Sequence, residues 1–231
     1  MTEKDAKQPR NAKTGLPTID SGEASSNQVK TIIVSLIFNV IFLGIGYGIV
    51  YLIYSNGSTS LYDSRIDKVK AYHGQYFMAY LILFELTVLW LNLYPMVFKA
   101  AIMRRDDGNL RANMFIYKLA TDKSDEKSAI VLHEDGDIGN YNRANRSIYH
   151  FLENSLPFVA SLPLTFFMFP FPTFVLTCMF CLGRIVYQIG YTSKGYGGHV
   201  IGFMLDRIST YTLTALLLFT FIKTYDPALF A

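Results

Sequence analysis

The sequence predicts an all-α integral membrane fold, and three observations predict it. Hydrophobic residues make up 51% of the 231 positions, and aromatic residues are plentiful among them. They gather into five runs, each long enough to cross a hydrocarbon core about 30 Å thick. Lys and Arg fall mainly on one side of those runs when they are threaded as alternating spans. The spans and their links use up the chain, so no room is left for a soluble domain.

Residues 1–30 form a polar tail. With Pro9, Pro17, Glu3, Asp5, Asp20 and Glu23 it fits neither a signal peptide nor an acid-poor transit peptide. It has little apolar surface to offset its ordering entropy, so it is expected to be flexible unless a partner holds it. Thr31 to Tyr54 is too long for a signal core and reads as a retained anchor helix. Ser55 to Gln75 is a short polar link, and Tyr76 to Met103 is the second span, with Glu85 inside it.

Arg104 to Asn142 is the only long loop. Its middle, Leu110 to Leu119, is expected to form a short amphipathic helix with Met114, Phe115 and Leu119 on the membrane surface. Asp122 to Lys127 reads as a solvated charge run, and His73 and His133 as solvated histidines. The third span runs from about Ser147 to Pro170 and the fourth from Phe171 to Tyr191. Phe169-Pro170-Phe171-Pro172 forces a tight connection, because each proline disfavours helix in the residue before it. Those two spans are therefore an antiparallel hairpin. Lys194 to Gly198 reads as a flexible link into the last span, Val200 to Ile222, which carries Asp206 and Arg207.

Threaded this way, the N-terminus, the long loop and Lys194 share the basic, cytosolic or matrix-like side; only Arg65, Lys68, Lys70 and Lys223 lie opposite. Endoplasmic reticulum and mitochondrial inner membrane both fit that orientation. A net charge of +3 is too small to suggest a nucleic-acid partner. Cys178 and Cys181, the only cysteines, share one face of the fourth span without accompanying ligands. They read as small packing residues, and no metal site is expected.

Ionisable groups inside the spans are the chemical signal. Arg143, Arg146, His150 and Glu153, with Asn154, stripe the third span; Arg184, Tyr187 and Tyr191 run down the fourth. At spacings of three, four and seven each set shares a helical face. Charge inside a bilayer is costly, which points to a polar site between helices. Two readings fit the spacing. In one, the stripe binds an anionic, amine-bearing ligand, with arginine forking carboxylates and glutamate taking an ammonium. In the other, Arg146 snorkels to the interface and Glu153 pairs with Arg184. Tyr191 at a helix end also suits an interfacial anchor, whereas Tyr187 lies deeper and its hydroxyl needs a partner.

From about Tyr76 onward the chain resembles the MAPEG superfamily, the membrane-associated proteins of eicosanoid and glutathione metabolism. That family carries Arg-x-x-x-Asn-x-x-Glu shortly before a proline in its second helix, matched by Arg146, His150, Glu153 and Pro157. Its third helix carries Arg-x-x-Tyr-x-x-x-Tyr, matched by Arg184, Tyr187 and Tyr191. The resemblance implies a four-helix membrane bundle over residues 76–231, with residues 31–54 as an extra N-terminal helix. It further implies a homotrimer with glutathione held between neighbouring subunits. Arg146, Glu153, Tyr187 and Tyr191 would hold the tripeptide, with His150, Asn154 and Arg184 in the same site.

Two departures stand out. His150 replaces the family's Asn, and Thr192 to His199 lacks the arginine that often stabilises the thiolate. Lys194 and His199 offer positive charge there, and Tyr191 and His199 are the catalytic candidates. The expected activity is a glutathione-dependent transferase or peroxidase acting on a lipophilic electrophile or lipid hydroperoxide. The alternative is a non-catalytic accessory subunit of a larger membrane assembly, such as a respiratory one, held through residues 1–54. Because the polar residues cluster toward one membrane side, a transporter fits less well.

Overall fold

A computed structural model describes residues 10–12, 15–103, 114–121 and 128–225. Its elements are α1 (Ser21–Asn56), α2 (Thr59–Ala71), α3 (Gln75–Ile102), β1 (Tyr117–Thr121), β2 (Ser128–Leu132), α4 (Gly136–Met168), α5 (Pro170–Lys194) and α6 (Val200–Tyr225). All but α2 among the helices are long and apolar enough to cross a membrane. The protein is a helical, multi-pass membrane protein.

Several boundaries differ from the sequence expectation, each for a local reason. Helix α1 begins at Ser21 rather than Thr31, and Asp20 Oδ1 accepts the Glu23 N–H at 2.8 Å and caps it. Before it, Arg10 pairs with Pro17 in an isolated bridge and donates to the Gly15 carbonyl at 2.9 Å. The polar link after α1 is itself mostly helix, as α2.

The amphipathic helix expected at Leu110 to Leu119 is not what forms there: residues 110–113 lie outside the described residues, and Tyr117 to Leu119 are strand. They pair antiparallel with β2, Tyr117 opposite Leu132 and Thr121 opposite Ser128. Ile130 and Val131 give β2 a strong strand preference, and a reading of residues 110–119 alone misses that partner. The charge run Asp122 to Lys127 lies outside the described residues.

Helix α4 starts at Gly136 rather than Ser147. A Cβ on Gly139 would collide with the Glu134 carbonyl, so the first turn closes only around glycine. Asn142, fully buried, fastens the hairpin to this helix. Its Nδ2 donates to the Ile116 and His133 carbonyls, both at 2.7 Å, and its Oδ1 accepts the Ile116 N–H at 2.9 Å. His133 is accordingly half-buried rather than solvated.

The chain divides into two compact units. One holds residues up to 39 together with 92–146, and its core is Ile102, Met103 and Tyr141 with Leu16, Phe98, Ile116 and Ile138 packed around them. The other holds residues 40–91 and 147 onward. Its core joins Tyr80 and Leu91 of α3, Phe151, Phe158, Leu162 and Phe166 of α4, Phe180 and Cys181 of α5, and Leu213 of α6. Phe158 and Phe180 stack there with centroids 3.8 Å apart.

Within that second core a buried glutamine repairs a helix defect. Pro95 has no N–H, so the Leu91 carbonyl loses its intrahelical donor. Gln188 Nε2, from α5, donates to that carbonyl at 2.9 Å.

Candidate functional site

A seam of glycines sets the geometry of the α5–α6 end. A Cβ on Gly183 would sit 2.9 Å from the Asp206 nitrogen and 3.0 Å from the Gly202 carbonyl. A Cβ on Gly202 would sit 2.5 Å from the Gly183 carbonyl and run into the Tyr187 nitrogen, and one on Gly190 would run into the Gly198 carbonyl. Glycine alone lets the two backbones approach this closely. The connection is an ordered turn and not the flexible link expected. Gly195 and Gly197 adopt φ of 70° and 95°, and Gly195 N–H donates to the Tyr191 carbonyl at 2.9 Å.

That close approach delivers Asp206 to Arg184, each with a side chain only 1% exposed. Arg184 donates from one terminal nitrogen to Asp206 Oδ2 at 3.1 Å and to His150 Nδ1 at 3.1 Å. Its other terminal nitrogen donates to the Ser147 carbonyl at 3.2 Å. A guanidinium can only donate, so His150 Nδ1 carries the lone pair and its proton sits on Nε2. The cation also lies over the Tyr187 and Phe151 rings, at 4.8 and 5.4 Å. The Glu153–Arg184 pair weighed from the sequence does not form; Arg184 turns to Asp206 instead.

Aromatic stacking carries the cluster outward. His150 lies flat on Tyr187, centroids 4.7 Å apart and planes 13° from parallel. Tyr187 meets Tyr191 and His199 at 5.9 and 5.1 Å. Tyr191 and His199 meet edge to face at 5.5 Å. Tyr196 and Phe203 complete the ring of aromatics around His199, whose Nδ1 is buried with no hydrogen-bond partner among the described residues.

His150, Arg184, Tyr187, Tyr191 and His199 are therefore brought together. Asn154 donates to the His150 carbonyl at 2.8 Å and accepts from Arg207 at 2.6 Å. Arg207 also lies over Phe203 and 3.6 Å from Asp206. Arg146 and Glu153, seven residues apart on α4, share its exposed face. Glu85 of α3 is exposed as well. The sequence showed Asp206 as a charge inside the last span without showing its partner. The signal that would have located it is Gly198-x-x-x-Gly202 just ahead of it, the spacing of a close helix contact.

Chemically, α4 offers a guanidinium and a carboxylate on its exposed face, and the contact of α5 with α6 offers a tyrosine hydroxyl beside a histidine. No group of His, Cys, Asp and Glu suited to a metal ion occurs among the described residues. The MAPEG family model matches residues 77–219, from the start of α3 into the last turns of α6. No curated protein and no solved structure matches the chain.

Proposed function

Because the chain belongs to the MAPEG family, we propose that it is a glutathione-dependent transferase or peroxidase that meets lipophilic electrophiles or lipid hydroperoxides within the membrane. The observation that carries this reading is the exposure of Arg146 and Glu153 on a membrane-spanning helix. An arginine and a glutamate exposed on one helical face can take up the carboxylate and the ammonium of a single ligand. Glutathione has two carboxylates and an ammonium, and the donor and acceptor set on α4 fits it. A homotrimer with the tripeptide between subunits would cover both charges at once.

Arg146 forks a glutathione carboxylate, and Glu153 accepts its ammonium. Pro157 removes the intrahelical donor of the Glu153 carbonyl, leaving a backbone acceptor beside that carboxylate. Tyr191, half-buried at the end of α5, donates its hydroxyl to the sulfur and favours the ionised thiol. His199 stands beside Tyr191 as a second donor. Bound glutathione supplies the nucleophilic sulfur. Arg184 spends its terminal nitrogens inside the bundle, so its role is to fix His150 and Tyr187 rather than to touch the tripeptide.

A second reading has its own observation. Helix α1 has no buried residue and precedes the matched region, as expected of a helix that docks a non-catalytic family member onto other subunits. Anaerobic titration of the detergent-purified protein with glutathione, followed by thiolate absorbance and turnover of a chlorodinitrobenzene, separates the two. Binding with thiolate formation and turnover supports the enzyme. Arg146→Ala should then weaken glutathione by about tenfold or more, the worth of a charge-assisted hydrogen bond. Absence of binding leaves the accessory subunit as the reading to pursue.

A further inference from the structure

A cavity of about 430 Å³ lies between α1 and the last turns of α3, inside a single compact unit, and none of the residues around Arg184 lines it. Asn27, Lys30, Thr31, Val34, Ser35 and Phe38 line it from one face of α1. Met96, Lys99, Ala100 and Met103 line it from α3 and the residue after it. No acidic side chain is among them, and neither lysine has an ion pair among the described residues. The volume is that of a small-molecule site.

The order of these residues along the helices gives the cavity a polarity. Helix α1 leaves the basic side of the membrane and α3 returns to it, so Lys30, early on α1, and Lys99, in the last turn of α3, stand at the same membrane surface. Val34 and Phe38 follow Lys30 by one and two turns, and Met96 lies one turn inward of Lys99. The wall thus runs from two cations at the headgroup level to aliphatic and aromatic side chains deeper in. That gradient matches an anionic amphiphile held upright in the leaflet.

We propose that the cavity binds one anionic phospholipid of the basic-side leaflet, its phosphate between Lys30 and Lys99 and an acyl chain along Val34, Phe38 and Met96. Lysine ammonium groups suit a phosphate as compact point charges. A free anion gains nothing from the apolar wall. A membrane helix seated here would need an acidic residue of its own to meet the two lysines.

The test uses the full chain in detergent micelles. Phosphatidylglycerol and phosphatidylcholine with matched chains are offered together and the retained lipid is counted by native mass spectrometry. Retention of phosphatidylglycerol by about tenfold over phosphatidylcholine is expected, the scale that two interfacial lysines supply. Lys30→Gln with Lys99→Gln should bring the ratio to parity, while Lys194→Gln leaves it unchanged.

Equal retention of the two lipids overturns the proposal, as does a preference that survives the double substitution. Glycerol 3-phosphate retained as well as the lipid overturns it in favour of a free-anion site. A co-purified membrane protein that excludes the lipid overturns it in favour of a helix. Phe38→Trp guards against misfolding of the lysine variants, with Trp90, the only native tryptophan, as its baseline. Brominated phosphatidylglycerol should quench the added tryptophan at a mole fraction where brominated phosphatidylcholine does not, and equal quenching by the two counts against the site.

Discussion

At the scale of single residues, the strongest constraint is the charge on Arg184. Its terminal nitrogens are committed to Asp206, His150 and a backbone carbonyl, and its charge is offset by a carboxylate as deeply buried as itself. Removing one partner of such a pair leaves an uncompensated charge, which is worse than having neither. Asp206→Ala should therefore destabilise the protein by about 3–5 kcal/mol, read as a fall in thermal midpoint in detergent. Arg184→Met combined with Asp206→Leu should recover much of that loss. A double variant no more stable than Asp206→Ala would show that the pair is not the source of the stability. The sequence displayed both charges but not their pairing, because the pairing depends on how closely two backbones meet.

At the scale of elements, Gln188 compensates for Pro95, and the two can be separated. Gln188→Leu should cost about 1–3 kcal/mol, since it leaves the Leu91 carbonyl buried without a donor. In a Pro95→Ala background the helix supplies its own N–H, so the same substitution should become nearly neutral. Equal costs in the two backgrounds would refute the compensation. The β1–β2 hairpin adds a test by pH. Lys118 donates to Asp135 Oδ2 at 2.6 Å, and that hydrogen bond, helped by the lysine's charge, holds the Asp135 carboxyl below its usual range. A depressed carboxylate stabilises above its unfolded pKa and stops doing so as pH falls through its folded one. The latch is thus intact at neutral pH and weakens below about pH 4. Amide chemical shifts of β1 and β2 should move in that range, and Asp135→Asn should abolish the movement. The five spans were legible because long apolar runs leave few alternatives. The hairpin was not, because the pairing of Tyr117 to Thr121 with Ser128 to Leu132 is non-local and no periodicity within either segment announces it. The site was legible in part: spacing put Arg184, Tyr187 and Tyr191 on one face, but could not tell the inward face of α4, with Ser147 and His150, from the exposed one with Arg146 and Glu153.

At the scale of the whole molecule, the family match begins at residue 77 and leaves α1 and α2 outside it. Deleting residues 1–54 should leave the remaining four spans inserted and able to bind glutathione. It should also lower the thermal midpoint, since Leu16 no longer covers Ile102, Met103 and Tyr141. Loss of glutathione binding on that deletion would place the extra helix in the site instead. The glycine seam between α5 and α6 bears, finally, on how the protein enters the membrane. Arg184 lies mid-helix in α5, and the carboxylate that neutralises it arrives only with α6. Alone, such an arginine opposes entry into lipid by about 2.5–3.5 kcal/mol. A nascent chain halted after Lys194 therefore carries a segment that resists entry into the bilayer. The ordered glycine turn lets the next helix fold back at once, so the two segments partition into the bilayer as one hairpin, with the charge pair formed before either meets lipid.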